Sequence, residues 1–293
     1  MDNKVNNSPQ HRENYASLNG LRAFAALGIV LMHVQANMAI KPSANYLTSN
    51  IIGNMASLTL LFMMVSAFSM CCGYYDRVRI GAITPQAFYS KRYQRAWPFF
   101  AIMVMLAFLM EPSWNTFCQT FADLTLCFNL LPNPQIEIIG VGWFLGLVFT
   151  FYMLFPFFTF LLSSKKKSWM VLALSLMFCY IEATYFCREN FVVRRITFLN
   201  IVYCAPFFIV GGMAYLYRKE LKTWHKAIKY LILLCCVLFV FVTPMLHMKL
   251  FIFPMLTMYL GFLIYAISSN GIILNRDSRK LVQTNLTIWL PVS

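Results

Sequence analysis

The chain has 293 residues, of which 60% are hydrophobic and only 12% charged, with a mean hydropathy of +0.64. A soluble domain carries about 25% charged residues and about 45–50% apolar ones, so these totals exclude a soluble core and indicate a multispanning membrane protein. The net charge of +14 does not indicate a nucleic-acid binder, because the basic residues lie in short stretches between apolar runs, where the inner face of a membrane protein collects them.

Residues 1–20 read as a polar cytoplasmic tail without a cleavable apolar segment, and Asn19-Gly20 as the cap of a helix that begins at Leu21. The stretch from Leu21 to Ile40, LRAFAALGIVLMHVQANMAI, is long enough as a helix to cross a hydrocarbon core of about 30 Å. It holds two ionisable side chains, Arg22 and His33. Eleven steps of 100° leave about 20° after three turns, so the two share one stripe, about 16 Å apart along the axis. Arg22 can snorkel to the boundary, whereas His33 lies past the midpoint and needs a polar interior or cavity. That makes His33 a candidate for chemistry; a hydrogen bond to a neighbouring helix is the plainer alternative.

Further apolar runs follow at roughly 51–75, 96–111, 139–162, 168–187, 198–217, 228–246 and 250–269. A weaker run of about fifteen residues at 117–131 contains Gln119 and Asp123 and fits a short re-entrant or interfacial helix. With eight spans and the tail inside, most of the 24 Lys and Arg fall on the tail's side, as the positive-inside rule requires. Residues 281–293, LVQTNLTIWLPVS, open like one more helix and stop after a turn or two. The expected fold is therefore all-α: a polytopic transmembrane helix bundle of about eight full spans, one short re-entrant or interfacial helix and a truncated final helix. Residues 21–293 form one domain.

Several constellations carry possible chemistry. In the second span Ser66, Ala67 and Ser69 are small and polar, which lets helices approach closely and bond across. The loop after it holds Arg77 and Arg79, then Lys91, Arg92 and Arg95 just before the third span opens at Trp97-Pro98. Arg92 and Arg95 are three apart, hence neighbours on one helical face, and guanidinium forks suit phosphate or an anionic lipid head. In the stretch from Ile138 to Pro156, Trp143 and Tyr152 can each present one polar hydrogen, and Gly211-Gly212 reads as a packing notch. Glu111 and Glu137 fall in outside loops, while Glu182 lies in a span and fits a stabilised pair with Arg188. The nine Cys show no metal-ligand spacing and read as buried structural thiols; no metal site is expected. No GxSxG, Walker loop, HExxH or GxGxxG is present, which leaves serine-hydrolase, nucleotide-hydrolysing, zinc and dinucleotide readings without support.

Six stretches in order resemble one known family. LNGLRAFAALGIVLMH resembles the opening signature of the membrane acyltransferase 3 family, with Arg and His in the first span. LFMMVSAF is similar to its second-span motif, KRYQRAWP to its Arg-rich opening of the third, WFLGLVFTFYMLFP to its Trp-Leu…Phe-Tyr…Pro span, PFFIVGG to its Phe-Gly motif and TNLTIWL to the start of its final helix. The resemblance implies a bacterial inner-membrane enzyme that transfers acyl groups, commonly acetyl from acetyl-CoA, to hydroxyls of surface carbohydrates and related acceptors. By position it makes Arg22 and His33 the essential pair, assigns Arg92 and Arg95 to the cytoplasmic donor side and places Ser66 and Trp143 in the core of the site. Asn19 stands where many relatives have Asp, Ala67 replaces the Gly of Ser-Gly-Phe, and Val148 and Phe149 stand where several relatives carry Glu.

The expected function is transfer of an acetyl or other acyl group from acyl-CoA to a carbohydrate or lipid-linked glycan, with no permanently bound cofactor and no nucleic-acid partner. The CoA phosphates would dock on Arg92, Arg95 and Lys91, with Ser66, Trp143 and Tyr152 supporting the site. His33 would act as general base or carry the acetyl group itself. A transporter or flippase of a lipid-linked saccharide is the rival class, though such folds show related halves with paired broken helices, which this sequence lacks. A catalytically degenerate relative is the third reading, resting on the missing Glu and the short end.

Overall fold

Caps written in the sequence set where several helices begin. The Thr84 Oγ1 accepts the Ala87 N–H at 3.2 Å, and Pro85 stands in the first turn, where its missing N–H costs nothing. Ser113 and Thr116 form a reciprocal capping box, and the Ser164 Oγ accepts the Lys167 N–H. A computed structural model of the protein describes residues 15–39, 45–126, 128–130, 138–140, 142–186, 201–242 and 252–268.

These residues form nine helices and no strand. They are α1 Ala16–Asn37, α2 Leu47–Arg79, α3 Pro85–Met110, α4 Trp114–Thr125, α5 Trp143–Leu161, α6 Lys165–Ile181, α7 Ile201–Thr223, α8 Lys226–Val242 and α9 Ile252–Ser268. In α2 the segment Leu58–Met70 is regular α-helix, flanked by π and 3-10 turns.

Among the described residues the all-α expectation holds, while the count of eight spans is not confirmed. Five helices, from Ser17–Asn37 in α1 through α2, α3, α5 and α7, are long and apolar enough to cross a membrane. Helices α6, α8 and α9 have 17 residues each, about 25 Å at 1.5 Å per residue, short of a core of about 30 Å. Their sequence runs extend past the described residues. The 12-residue α4 agrees with a short helix that does not span. The proposed Arg188 partner of Glu182, Glu137, the tail up to residue 14 and the final stretch 281–293 lie outside the described residues.

Two helix starts differ from the expectation. Helix α1 begins at Ala16, so Asn19-Gly20 lies inside it instead of capping it. Helix α3 begins at Pro85, so the Lys91–Arg95 stretch is helical and Pro98 is an interior proline. In both cases polar residues extend a helix beyond its apolar run, which hydropathy alone does not register.

The core lies where α2 meets α7. Met63, Met64, Ala67 and Phe68 are buried against Phe207, Phe208 and Ala214, with Tyr259 and Leu263 of α9 behind them. The notch at Gly211-Gly212 makes this contact possible: a Cβ on Gly211 would overlap the Met64 carbonyl oxygen, and one on Gly212 would overlap Leu162 and Phe158. Helix α1 packs against α2 and α9, leaving much of its surface exposed.

The end carrying the short connections 80–84, 162–164 and 224–225 is tied by polar contacts. The buried Tyr75 hydroxyl donates to the Leu162 carbonyl at 2.7 Å, the Tyr215 hydroxyl donates to Asp76 Oδ2 at 2.9 Å, and Lys165 pairs with Glu220. Tyr75→Phe is expected to lower stability by about 1 kcal/mol, the worth of one hydrogen bond, as a reduced melting temperature in detergent. An unchanged melting temperature would show that this tie carries no stability.

Candidate functional site

Four helices bring polar side chains to one cavity, and two of them bring charged ones. Its volume is about 540 Å³, and its polar lining comprises Arg22 from α1, Ser66 and Ser69 from α2, Arg92 and Arg95 from α3, and Tyr152 from α5. Phe62, Phe144 and Val148 are among the apolar walls. Three guanidinium groups and no carboxylate line this space, so its field favours an anion. A second cavity of about 540 Å³, between α1, α2, α8 and α9, contains no charged side chain.

Each arginine is held differently. Arg22 donates to Asn19 Oδ1 at 3.1 Å and to Ser69 Oγ at 2.5 Å. The Arg92 guanidinium carbon lies 4.6 Å from the Tyr74 ring centre, 5.4 Å from that of Tyr152 and 5.8 Å from that of Phe88, a set of cation–π contacts. The Arg92 Nε is buried with no hydrogen-bond partner among the described residues. A buried donor in that state costs free energy that an incoming anion recovers. Arg95 is exposed, one turn on from Arg92 along α3. No salt bridge to any of the three occurs among the described residues.

The remaining polar groups are paired across helices. Ser66 Oγ and the Tyr152 hydroxyl are 3.1 Å apart, joining α2 to α5, and the Ser69 hydroxyl donates to the Val65 carbonyl at 2.8 Å. Val148 lines the cavity, and Phe149, 1% exposed, packs edge-on against Tyr93 at 4.5 Å. Where the resemblance places a Glu in several relatives, this chain therefore has hydrocarbon.

The structure thus gathers Arg22, Ser66, Arg92, Arg95 and Tyr152 around one space and leaves three sequence candidates outside its lining. Lys91 is exposed on α3. Trp143 opens α5 and packs edge-on against Phe144 at 5.7 Å. His33 is exposed rather than buried, because α1 turns only its Leu18–Ala25–Gly28 side into the bundle. Its ring keeps the same stripe of α1 as Arg22, farther along the axis.

Sequence reasoning missed the part played by Ser69, Asn19 and Tyr74. The positions 62, 66 and 69 share one helical face at steps of four and three, a pattern that could have placed Ser69 beside Ser66.

The acyltransferase domain model of the acyltransferase 3 family matches residues 15–284. The chain belongs to the acyltransferase 3 family. No curated protein and no solved structure matches it. An acyltransferase 3 protein is a membrane acyltransferase, in keeping with the five long apolar helices. Among the described residues no group of His, Cys, Asp and Glu could hold a metal ion.

Proposed function

We propose that this acyltransferase 3 protein moves an acetyl or similar acyl group from acyl-CoA to a hydroxyl of a cell-surface carbohydrate or lipid-linked glycan, in a bacterial inner membrane with its N-terminus cytoplasmic. One observation carries the reading: a cavity lined by three arginines from two helices and by no carboxylate, in a chain of this family. Such a space suits a phosphorylated donor.

The CoA phosphates sit against Arg92 and Arg95, with Lys91 adding charge at the mouth and Arg22 facing them from α1. Tyr152 and Ser66 supply neutral hydroxyls beside the arginines, and Trp143 supports the helix that carries Tyr152. The acyl arm runs along the Arg22–His33 stripe. At His33 the acceptor hydroxyl gives its proton to the neutral imidazole as its oxygen attacks the thioester carbon; the C–S bond breaks, a C–O ester forms and the proton passes to the departing thiolate. An acetyl-His relay reaches the same products through two transfers.

The test is acetyl-CoA consumption by washed membranes, with mass spectrometry of surface glycans from cells with and without the protein. Consumption that needs an added glycan acceptor is the expected result; none in any acceptor's presence would overturn the reading and favour a flippase. Arg92→Ala is expected to raise the KM for acetyl-CoA by about tenfold or more, the loss of one charge-assisted hydrogen bond, with a smaller change in kcat. An unchanged KM would remove Arg92 from the donor site.

A further inference from the structure

Arg22 is held in a way that the other two cavity arginines are not. Its Nη1 donates to Asn19 Oδ1, one turn back on α1, and its Nη2 donates to Ser69 Oγ on α2. Arg92 rests on ring faces instead, and Arg95 makes no hydrogen bond or ion pair among the described residues.

Ser69 is itself fixed. A hydroxyl has one proton, and that of Ser69 goes to the Val65 carbonyl four residues back in the same helix. Its lone pairs are therefore what it offers to Arg22, so the serine acts as an oriented acceptor rather than a rotor. Both acceptors of Arg22 are neutral, and no carboxylate pairs with it among the described residues, so its charge remains available to the cavity. An arginine loses much of its side-chain freedom when it is fixed. Holding it beforehand removes that cost from ligand binding.

We infer that Ser69 is a positioning residue: it anchors the Arg22 guanidinium from the neighbouring helix so that its charge faces the anion bound in the α1–α2–α3–α5 cavity. The inference rests on the acyl-CoA reading only for the identity of that anion.

Threonine and valine at position 69 separate this role from packing. The two have nearly the same shape, and a helical threonine keeps an oxygen able to bond the carbonyl four residues back. Purified full-length Ser69→Val and Ser69→Thr proteins are compared with wild type in two measurements. The first is the rate at which phenylglyoxal modifies Arg22, mapped by peptide mass spectrometry. The second is the affinity for CoA and for inorganic pyrophosphate, by titration. Ser69→Val is expected to speed modification of Arg22 several-fold and to weaken both ligands by about tenfold, whereas Ser69→Thr stays close to wild type. Equal behaviour of the two variants in either measurement would overturn the inference, as would a wild-type protein that binds neither ligand. A wild-type protein that binds pyrophosphate but not CoA would overturn the acyl-CoA reading alone, and the Val–Thr contrast with pyrophosphate would still decide the role of Ser69.

Discussion

His33→Ala and Arg22→Ala are each expected to abolish acyl transfer while the protein stays inserted and abundant, and to do so for different reasons. His33 lies outside the cavity lining, about 16 Å along α1 from Arg22. Removing its imidazole should leave CoA affinity near wild type and lower kcat by about 10²–10⁴-fold, the usual effect of losing a general base. Arg22 lines the cavity and bonds across to α2, so Arg22→Ala should weaken CoA binding as well as turnover. Quantitative membrane blots, CoA titration and single-turnover assays separate the two outcomes. Wild-type turnover in His33→Ala membranes would end the assignment of the imidazole to the chemistry. A large loss of CoA affinity in that variant would place His33 in the donor site instead.

The second large effect concerns the seam between α2 and α7. Gly211→Val is expected to destabilise the protein by about 3 kcal/mol, the upper end for overpacking, because the added atoms meet the backbone carbonyl of Met64 and the methyl of Ala67. Backbone cannot rotate away as a side chain can, so α2 and α7 must separate. That contact also positions the α2 segment bearing Ser66 and Ser69, and activity should fall with stability. Gly73→Ala provides the control, since a Cβ there meets nothing within 4 Å. Melting curves in detergent that matched for Gly211→Val and wild type would show that the two helices are not held by this notch.

Much of this was legible in the chain itself. Thr84-Pro85 and Ser113…Thr116 could have marked helix starts, because a cap is a contact between residues three apart, although the sequence reading opened the third span at Trp97-Pro98. The pairing of Arg92 with Arg95 on one face, and of Arg22 with His33 on one stripe, follows from helical pitch alone. Gly211-Gly212 could be read as a notch because a missing side chain permits close approach whichever helix approaches. All of these are properties of a single helix.

The tertiary structure decided which helix faces which. Nothing local to Arg22 indicates that it meets Ser69, 47 residues away, or that Arg92 is bracketed by Tyr74 and Tyr152. Nor could pitch show that the His33 stripe borders an exposed surface while the Arg22 end borders a cavity. Periodicity fixes directions around one axis. The neighbours found in those directions depend on how all the helices pack, and in the core of this bundle α2 and α7 approach closely at Gly211.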